Sequence, residues 1–394
     1  MKKTLAAVAV LGAFAGSALA ADVQLYGIVD LGLNYSHVDM DNNTVQDIDS
    51  FTMDSGTASG SRFGFKGTED LGNGLKVGFI LENGFDADTG ADSTFFNRES
   101  SLFLEGGFGK VAFGRIGALN NGQSSWALVG RLSPFGTSFG DYTAQASNIF
   151  SLAGQFDNMI AYQTPSFAGF KVYAQYSMGN AEADHNGTAV ENEASADRYY
   201  AIGATYDNGP FSAYFAVDSV NYASNNGKGY YWGDLQDDSL TITLGGSWDF
   251  EVAKVYLGAQ YFDTVMPSTL GGIAGNVGSP FKDDEGTDLL KDASITGFGV
   301  GLGVDAPVAG GKIMAAAGYV DAEQSDVNED MGNLYDFSRW VVSVGYDYPF
   351  SKRTDVYAVA SYMSDDLEGK SENLKNMEWN PSAYSVLIGL RHKF

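Results

Sequence analysis

Residues 61–85 read SRFGFKGTEDLGNGLKVGFILENGF, and their two-residue period carries the first structural inference. Phe63 and Phe65 fall on one face, with Arg62, Gly64 and Lys66 on the other. The run Glu69-Asp70-Leu71-Gly72-Asn73-Gly74 then breaks the alternation with residues that tolerate positive φ. On the return limb Val77, Phe79, Leu81, Asn83 and Phe85 share one face, while Lys76, Gly78, Ile80, Glu82 and Gly84 share the other. This is a β-hairpin with one apolar and one polar side. Arg62, Lys66 and Glu82 belong to the same polar face, where opposite charges sit close across strands. A soluble sheet would show the same pattern, so the environment has to be read from the rest of the chain.

The two ends of the hairpin sit in a long series of similar segments. Before it, residues 23–35 alternate, with Leu25, Gly27, Val29, Leu31 and Leu33 opposite Tyr26, Ile28, Asp30 and Asn34. After it, strands are expected over 98–105 and 110–115, joined only by Gly106-Gly107-Phe108-Gly109. Residues 116–156 lack alternation and are rich in Gly, Ser, Asn and Phe; structureless loops of that length are uncommon in compact domains and are usually functional. Alternation then resumes in pairs: 159–164 with 170–178, 199–206 with 211–217, 240–248 with 254–262, 294–304 with 312–319, and 340–348 with 355–362. The last strand is expected over 383–394. Short turns and long acidic connections alternate throughout, and a soluble sandwich or propeller has no reason to lengthen every second connection. The expected fold is therefore all-β: a transmembrane antiparallel β-barrel of about sixteen strands, with short periplasmic turns and long outer loops.

Composition agrees. Met1 to Ala20 reads as a secretory signal, with Lys2 and Lys3, an apolar run, and Ala18-Leu19-Ala20 as the cleavage site. The expected organisation is a signal peptide at 1–20 and one barrel at 21–394. Beyond the signal no apolar run reaches the roughly 18 residues of a spanning helix. The formal net charge of −26 makes nucleic acid a poor partner. The acids cluster at 39–49, 86–92, 182–193, 283–292, 321–330 and 365–378, as solvated outer loops or as binders of divalent cations at a lipopolysaccharide surface. There is no cysteine, and 50 glycines with 22 tyrosines and 26 phenylalanines suit a twisted sheet with aromatic girdles.

The segment RFGFKGTEDLGNGLK followed by LENGF resembles the second and third strands of the general diffusion porins of Gram-negative outer membranes. VQLYGIVDLGLNY (23–35) is similar to their first strand, NRESSLFLEGGFGKVAFGR (97–115) to the fourth and fifth, and LIGLRHKF (387–394) to the last. The resemblance implies an arginine ladder on the wall at Arg62 and Arg98, with Glu82 as a nearby carboxylate. It also implies a third loop that folds inward and sets an acid against the ladder, for which Asp141 is the only carboxylate available. The family's further wall arginine, near Ala161 or Gln163, has no basic counterpart here. Arg115 shares parity with Val111 and Phe113 on the outer face, and the resemblance implies that an arginine there meets a neighbouring subunit's second loop, where Asp86, Asp88 or Asp92 would serve. Tyr384, Val386, Ile388, Leu390, His392 and Phe394 alternate to a terminal aromatic, which resembles the signal read by barrel-assembly machinery.

No catalytic constellation is visible, and His37, His185 and His392 lack metal-ligand spacing. The alternating glycines from Gly297 to Gly303 do not form a cofactor-binding G-x-G-x-x-G. No cofactor, metal or enzymatic activity is expected. The expectation is an outer-membrane homotrimer among lipid and lipopolysaccharide, passing small hydrophilic solutes and ions by passive diffusion. Its constriction would comprise Asp30, Arg62, Lys66, Glu82, Arg98 and Asp141. With Asp30, Glu82 and Asp141 opposing a shortened ladder, mild cation preference is expected. A solute-selective channel remains open because Trp126, Phe135, Phe139 and Tyr142 supply aromatics in the third loop; an adhesin or surface scaffold would need a plugged lumen.

Overall fold

The computed structural model describes residues 22–41, 45–91, 94–179, 191–192, 196–222, 238–278, 294–324, 335–370 and 378–394. The signal expected at 1–20, the barrel's expected first residue at 21, Asp92, His185, the acidic run at 283–292, most of those at 182–193 and 321–330, and 371–377 of the run at 365–378 lie outside them.

Among the described residues eighteen strands form one sheet. The first half contains β1 (Gln24–Asp39), β2 (Ile48–Ser55), β3 (Arg62–Gly72), β4 (Leu75–Gly84), β5 (Glu99–Gly106), β6 (Gly109–Gly117), β7 (Gln155–Gln163), β8 (Phe170–Ser177) and β9 (Arg198–Asn208). The second contains β10 (Phe211–Asn221), β11 (Leu240–Asp249), β12 (Lys254–Val265), β13 (Ile295–Val308), β14 (Gly311–Gln324), β15 (Tyr335–Pro349), β16 (Thr354–Gly369), β17 (Glu378–Trp379) and β18 (Ser382–Lys393). They make only sixteen columns. β3 pairs with the start of β1 (Gln24 to Ile28) and β2 with its continuation (Leu31 to Val38), so β2 extends the column of β3. β17 extends β18 against β16 in the same way. Every pairing is antiparallel, and β18 returns to β1 from Ile28↔Lys393 to Asp39↔Ser382. The result is a closed antiparallel β-barrel of sixteen strands, with no unpaired edge to template aggregation.

The opening hairpin is longer than the alternation suggested. Glu69 and Asp70 pair with Val77 and Lys76, which narrows the break to Asn73 and Gly74, at φ 55° and 76°. β2 was hidden in what reads as an acidic loop, because its polar alternation lacks a turn signal to announce it.

Outside, Leu244, Leu257, Leu302, Val344 and Ile388 are exposed midway along their strands. Aromatics flank this apolar zone. Phe170 packs at a tilt against Tyr206, with ring centroids 4.3 Å apart, and Phe211 against Trp248 at 5.8 Å, near the short-turn end. Tyr176–Tyr200 at 5.1 Å and Tyr319–Trp340 at 4.5 Å lie toward the long-loop end. An apolar band this broad would be a liability in water; between two aromatic belts it is the surface a bilayer covers. Among the described residues no helix is long and apolar enough to cross a membrane, so the strands must do it.

The apolar core lies inside the barrel and is built by the connection from β6 to β7. Leu119, Val129, Leu132, Phe135, Ile149 and Phe150 of this loop are buried against the inner wall. Fully burying each such side chain contributes ~2 kcal/mol, which offsets the ordering of a long loop. The wall makes room with glycine. A Cβ at Gly299 would lie 1.9 Å from the Ile149 carbonyl oxygen, and one at Gly303 2.4 Å from Pro134. The glycine alternation that marks no cofactor motif is the bed on which the loop rests.

Candidate functional site

Polar wall side chains fasten the β6–β7 loop at fixed points. Gln175 on β8 accepts from the Leu119 amide at 2.9 Å and donates to the Gly117 carbonyl at 3.0 Å. Gln260 on β12 accepts from the Ser151 amide at 2.6 Å and donates to the Ser151 carbonyl at 3.1 Å. Ser343 on β15 accepts from the Ala144 amide at 2.8 Å. At the loop's entrance Glu99 accepts from the Ser125 amide at 2.8 Å and its hydroxyl at 2.9 Å.

Pinned this way, the loop leaves a cavity of about 620 Å³ between itself and the wall. Arg62, Lys66, Arg98, Lys312 and Arg391 line it, against the carboxylates Glu82, Glu99 and Asp347. Arg98 Nε lies 2.7 Å from Glu82 Oε1, and Arg62 Nε lies 3.6 Å from Glu82 Oε2. Tyr26 donates its hydroxyl to Glu82 at 3.0 Å. Arg98 also reaches the loop, donating to Gln123 at 2.8 Å. Lys66 sits exposed with its ammonium 5.0 Å from the centre of the Tyr26 ring, and among the described residues no carboxylate forms an ion pair with it. Glu82 is thus held by two guanidinium groups, and positive charge is left over at the opening.

Four of the six residues expected at the constriction line this cavity: Arg62, Lys66, Glu82 and Arg98. Asp30 and Asp141 do not. Parity places Asp30 on the inner face, but its carboxylate is 0% exposed and fully engaged. It accepts from the amides of Ala58 and Ser59 at 3.0 and 2.7 Å and from the Tyr357 hydroxyl at 2.5 Å. It is a knot between β1, the β2–β3 connection and β16 rather than an open wall charge. Asp141 lies away from the arginines, and the charged neighbour acting on it is Asp54.

Arg115, expected at a subunit interface, donates to the Asn97 carbonyl at 2.8 Å and pairs with Asp157 at 2.6 Å within its own chain. A β-bulge between Gly114 and Ile116 turns it toward β7, where Asp157 waits. Phe394 closes the barrel: its amide donates to the Gly27 carbonyl at 3.0 Å and its carbonyl accepts from the Gly27 amide at 3.1 Å.

Arg391 and Lys312 are the lining cations that sequence reasoning missed. Arg391 Nη2 lies 2.9 Å from Asp355 and 3.3 Å from Asp347, and Nη1 donates to Ser59 at 2.9 Å. Its signal was present: Leu390 and His392 face outward, so the residue between them faces in. The aromatics that favour a solute-selective alternative are almost wholly buried, Trp126 at 2%, Phe135 at 1% and Tyr142 at 5% exposure.

Comparison with known proteins is consistent with this geometry. A family model described as Gram-negative porin matches residues 6–367. The chain is 32% identical to an outer membrane porin protein of Bordetella pertussis and 30% identical to the outer membrane porin protein 32 of Delftia acidovorans, with all of each chain covered in both comparisons. Among solved structures, the anion-selective porin from Comamonas acidovorans superposes with a TM-score of 0.65 at 27% identity, covering 95% of this chain and 100% of that one.

Proposed function

The chain belongs to the Gram-negative porin family and is a β-barrel of the outer membrane; from that premise we propose that it forms a water-filled channel for passive diffusion of ions and small hydrophilic solutes, with an anion-favouring constriction. The observation that carries this reading is the cavity of about 620 Å³, where Arg62, Lys66, Arg98, Lys312 and Arg391 outnumber Glu82, Glu99 and Asp347. A solute passing there meets fixed charge on the wall and loop backbone opposite. Such a field orients water and dipolar solutes, and apolar molecules that disturb this order pass poorly.

The direction of selectivity differs from the balance drawn on sequence alone. Cation preference rested on Asp30, Glu82 and Asp141 set against a shortened ladder; of these carboxylates Glu82 alone lines the cavity, and Arg391 and Lys312 add to its cations. A related structure bearing the name of an anion-selective porin supports the same direction. The acidic outer loops act oppositely, concentrating cations within a Debye length of the mouth, about 10 Å at 0.1 M salt. Three-fold assembly belongs to the same proposal and is supported by the family and by the exposed apolar side chains Leu33, Phe51 and Met53 on β1 and β2.

Reversal potentials across a salt gradient in a planar bilayer test the reading. The expected sign is that of an anion-preferring channel at moderate salt. A cation sign there would mean that the loops, and not the cavity, govern permeation, and absence of conductance would defeat the channel reading itself.

A further inference from the structure

The connection between β12 and β13 also folds inward. Its described part, 266–278, contains a 3₁₀ turn at Pro267–Leu270 and a short helix at Ile273–Val277. Leu270 and Ile273 are 1% and 0% exposed, packed in one cluster with Ile149 and Phe150 of the β6–β7 loop and with Val341 and Met363 of the wall. The two loops touch directly: Leu152 donates its amide to the Thr269 carbonyl at 3.1 Å, and the Ser151 and Thr269 hydroxyls lie 2.7 Å apart.

One side chain fastens both. Arg339, on the inner face of β15, is 2% exposed and its partner Asp365 on β16 is 0% exposed. The pair is bidentate, with Nε to Oδ1 at 2.7 Å and Nη2 to Oδ2 at 3.0 Å. Arg339 Nη1 donates to the Leu270 carbonyl at 2.8 Å and to the Asn148 carbonyl at 3.3 Å, and Nη2 donates to the Gly271 carbonyl at 3.2 Å. All five guanidinium N–H groups therefore have acceptors, three of them backbone carbonyls from two different loops. Asp365 in turn accepts from the Ile273 amide at 3.4 Å. Gly272, at φ 91°, passes so near that a Cβ there would lie 1.8 Å from Arg339 Nη2.

We propose that residues 266–278 are a second constricting plate and that Arg339 is the positioning residue that sets the channel's cross-section by bolting this plate and the β6–β7 loop to the wall. The inference rests on the channel reading above and deepens it. The β6–β7 loop borders the cationic cavity on one side only. The second plate fills the space on its other side, between residues 148–152 and the wall of β15 and β16. With the bolt in place all flow passes the cations of the cavity. With the bolt gone, the plate lifts and a second path, remote from Arg62, Arg98 and Arg391, opens behind the loop.

The test uses single-channel conductance and reversal potential of the full-length protein in planar bilayers, with heat-modifiable gel migration to confirm a folded barrel. Arg339→Met combined with Asp365→Leu removes both charges together, so neither is stranded. Gly272→Val pushes the plate from the wall while keeping the ion pair, and serves if the paired variant does not fold. Either variant is expected to raise conductance about twofold and to move the reversal potential toward zero. The chain has no cysteine, so Ser151→Cys with Thr269→Cys adds the only thiols. Oxidising them in the unbolted background ties plate to loop and is expected to restore the parental values, and reduction to abolish them again. Folded, conducting variants with parental conductance and selectivity overturn the proposal, as does a conductance gain that the disulfide leaves untouched. A parental protein without conductance fails the channel reading instead, which separates the two.

Discussion

Two arginine–carboxylate pairs face the same lumen with the same 2.7 Å separation, and they do different things. Glu82 on β4 and Arg98, just before β5, line the cavity, and Glu82 keeps second and third partners in Arg62 and Tyr26. Arg339 and Asp365 stand between β15 and β16, sealed beneath two loops. Distance alone does not separate a selectivity charge from a structural one; what covers the pair does. Both guanidinium groups are largely buried, but Arg98 borders the cavity and keeps its field available to passing ions, whereas Arg339 turns its donors to loop carbonyls.

Single truncations should break the resemblance between the pairs. Arg339→Ala strands a buried carboxylate, and losing one partner of such a pair costs about 3–5 kcal/mol. The expected outcome is a marked fall in thermal stability and in folded yield, read by heat-modifiable migration across a temperature series. Arg98→Ala leaves Glu82 with Arg62 and Tyr26, so the loss of stability should be clearly smaller than that of Arg339→Ala. Its effect should appear in permeation: anion preference falls, and the double change of Arg62 and Arg98 to alanine should reverse it. A stability loss in Arg98→Ala equal to that in Arg339→Ala would erase the distinction.

Salt sharpens the contrast further. Charges at the mouth act over long distances and are screened first, whereas those within the cavity act at contact. Anion preference is therefore expected to be weakest at about 0.01 M salt, where the Debye length is roughly 30 Å, and to grow toward about 0.15 M. Reversal potentials at fixed gradient ratio and rising mean salt follow this directly. The smallest effect is expected at Arg115. Because it joins Asn97 to Asp157 in its own chain, Arg115→Glu should loosen the start of β7 and leave oligomer mass in mild detergent unchanged. Loss of the oligomer would restore this residue to the subunit interface.

Alternation gave the face of a residue but not its neighbours. It put Arg62, Lys66 and Glu82 on the lumen side, and because β3 and β4 are joined by a tight turn, their proximity followed from sequence. Arg391 faces the same cavity from the far end of the chain, and only ring closure brings it to Ser59. Asp30 had the correct parity, yet nothing in the sequence said that the β2–β3 connection would wrap its amides around it. The glycines from Gly297 to Gly303 were conspicuous as a pattern, but their purpose depends on Ile149 and Pro134, which arrive from a loop with no period to read. Arg339 is the extreme case. Three of its five bonds go to residues whose position is set only after two irregular loops have folded. The other two go to Asp365 on a neighbouring strand that carries no mark of pairing.

The seam between β1 and β18 also has a meaning in time. Every other wall contact can form between segments near one another in the chain, but this ladder joins Ile28 to Lys393 and locks with Phe394 against Gly27. Loop-closure entropy grows only logarithmically, adding about 0.6 kcal/mol for each doubling of the intervening length, so the thermodynamic penalty is modest. The kinetic one is larger, since such distant pairing is slow. Until β18 meets β1, both edge strands stand open with their hydrogen-bonding groups unpaired. A chain caught before that step holds every other pairing and is at home in neither water nor lipid.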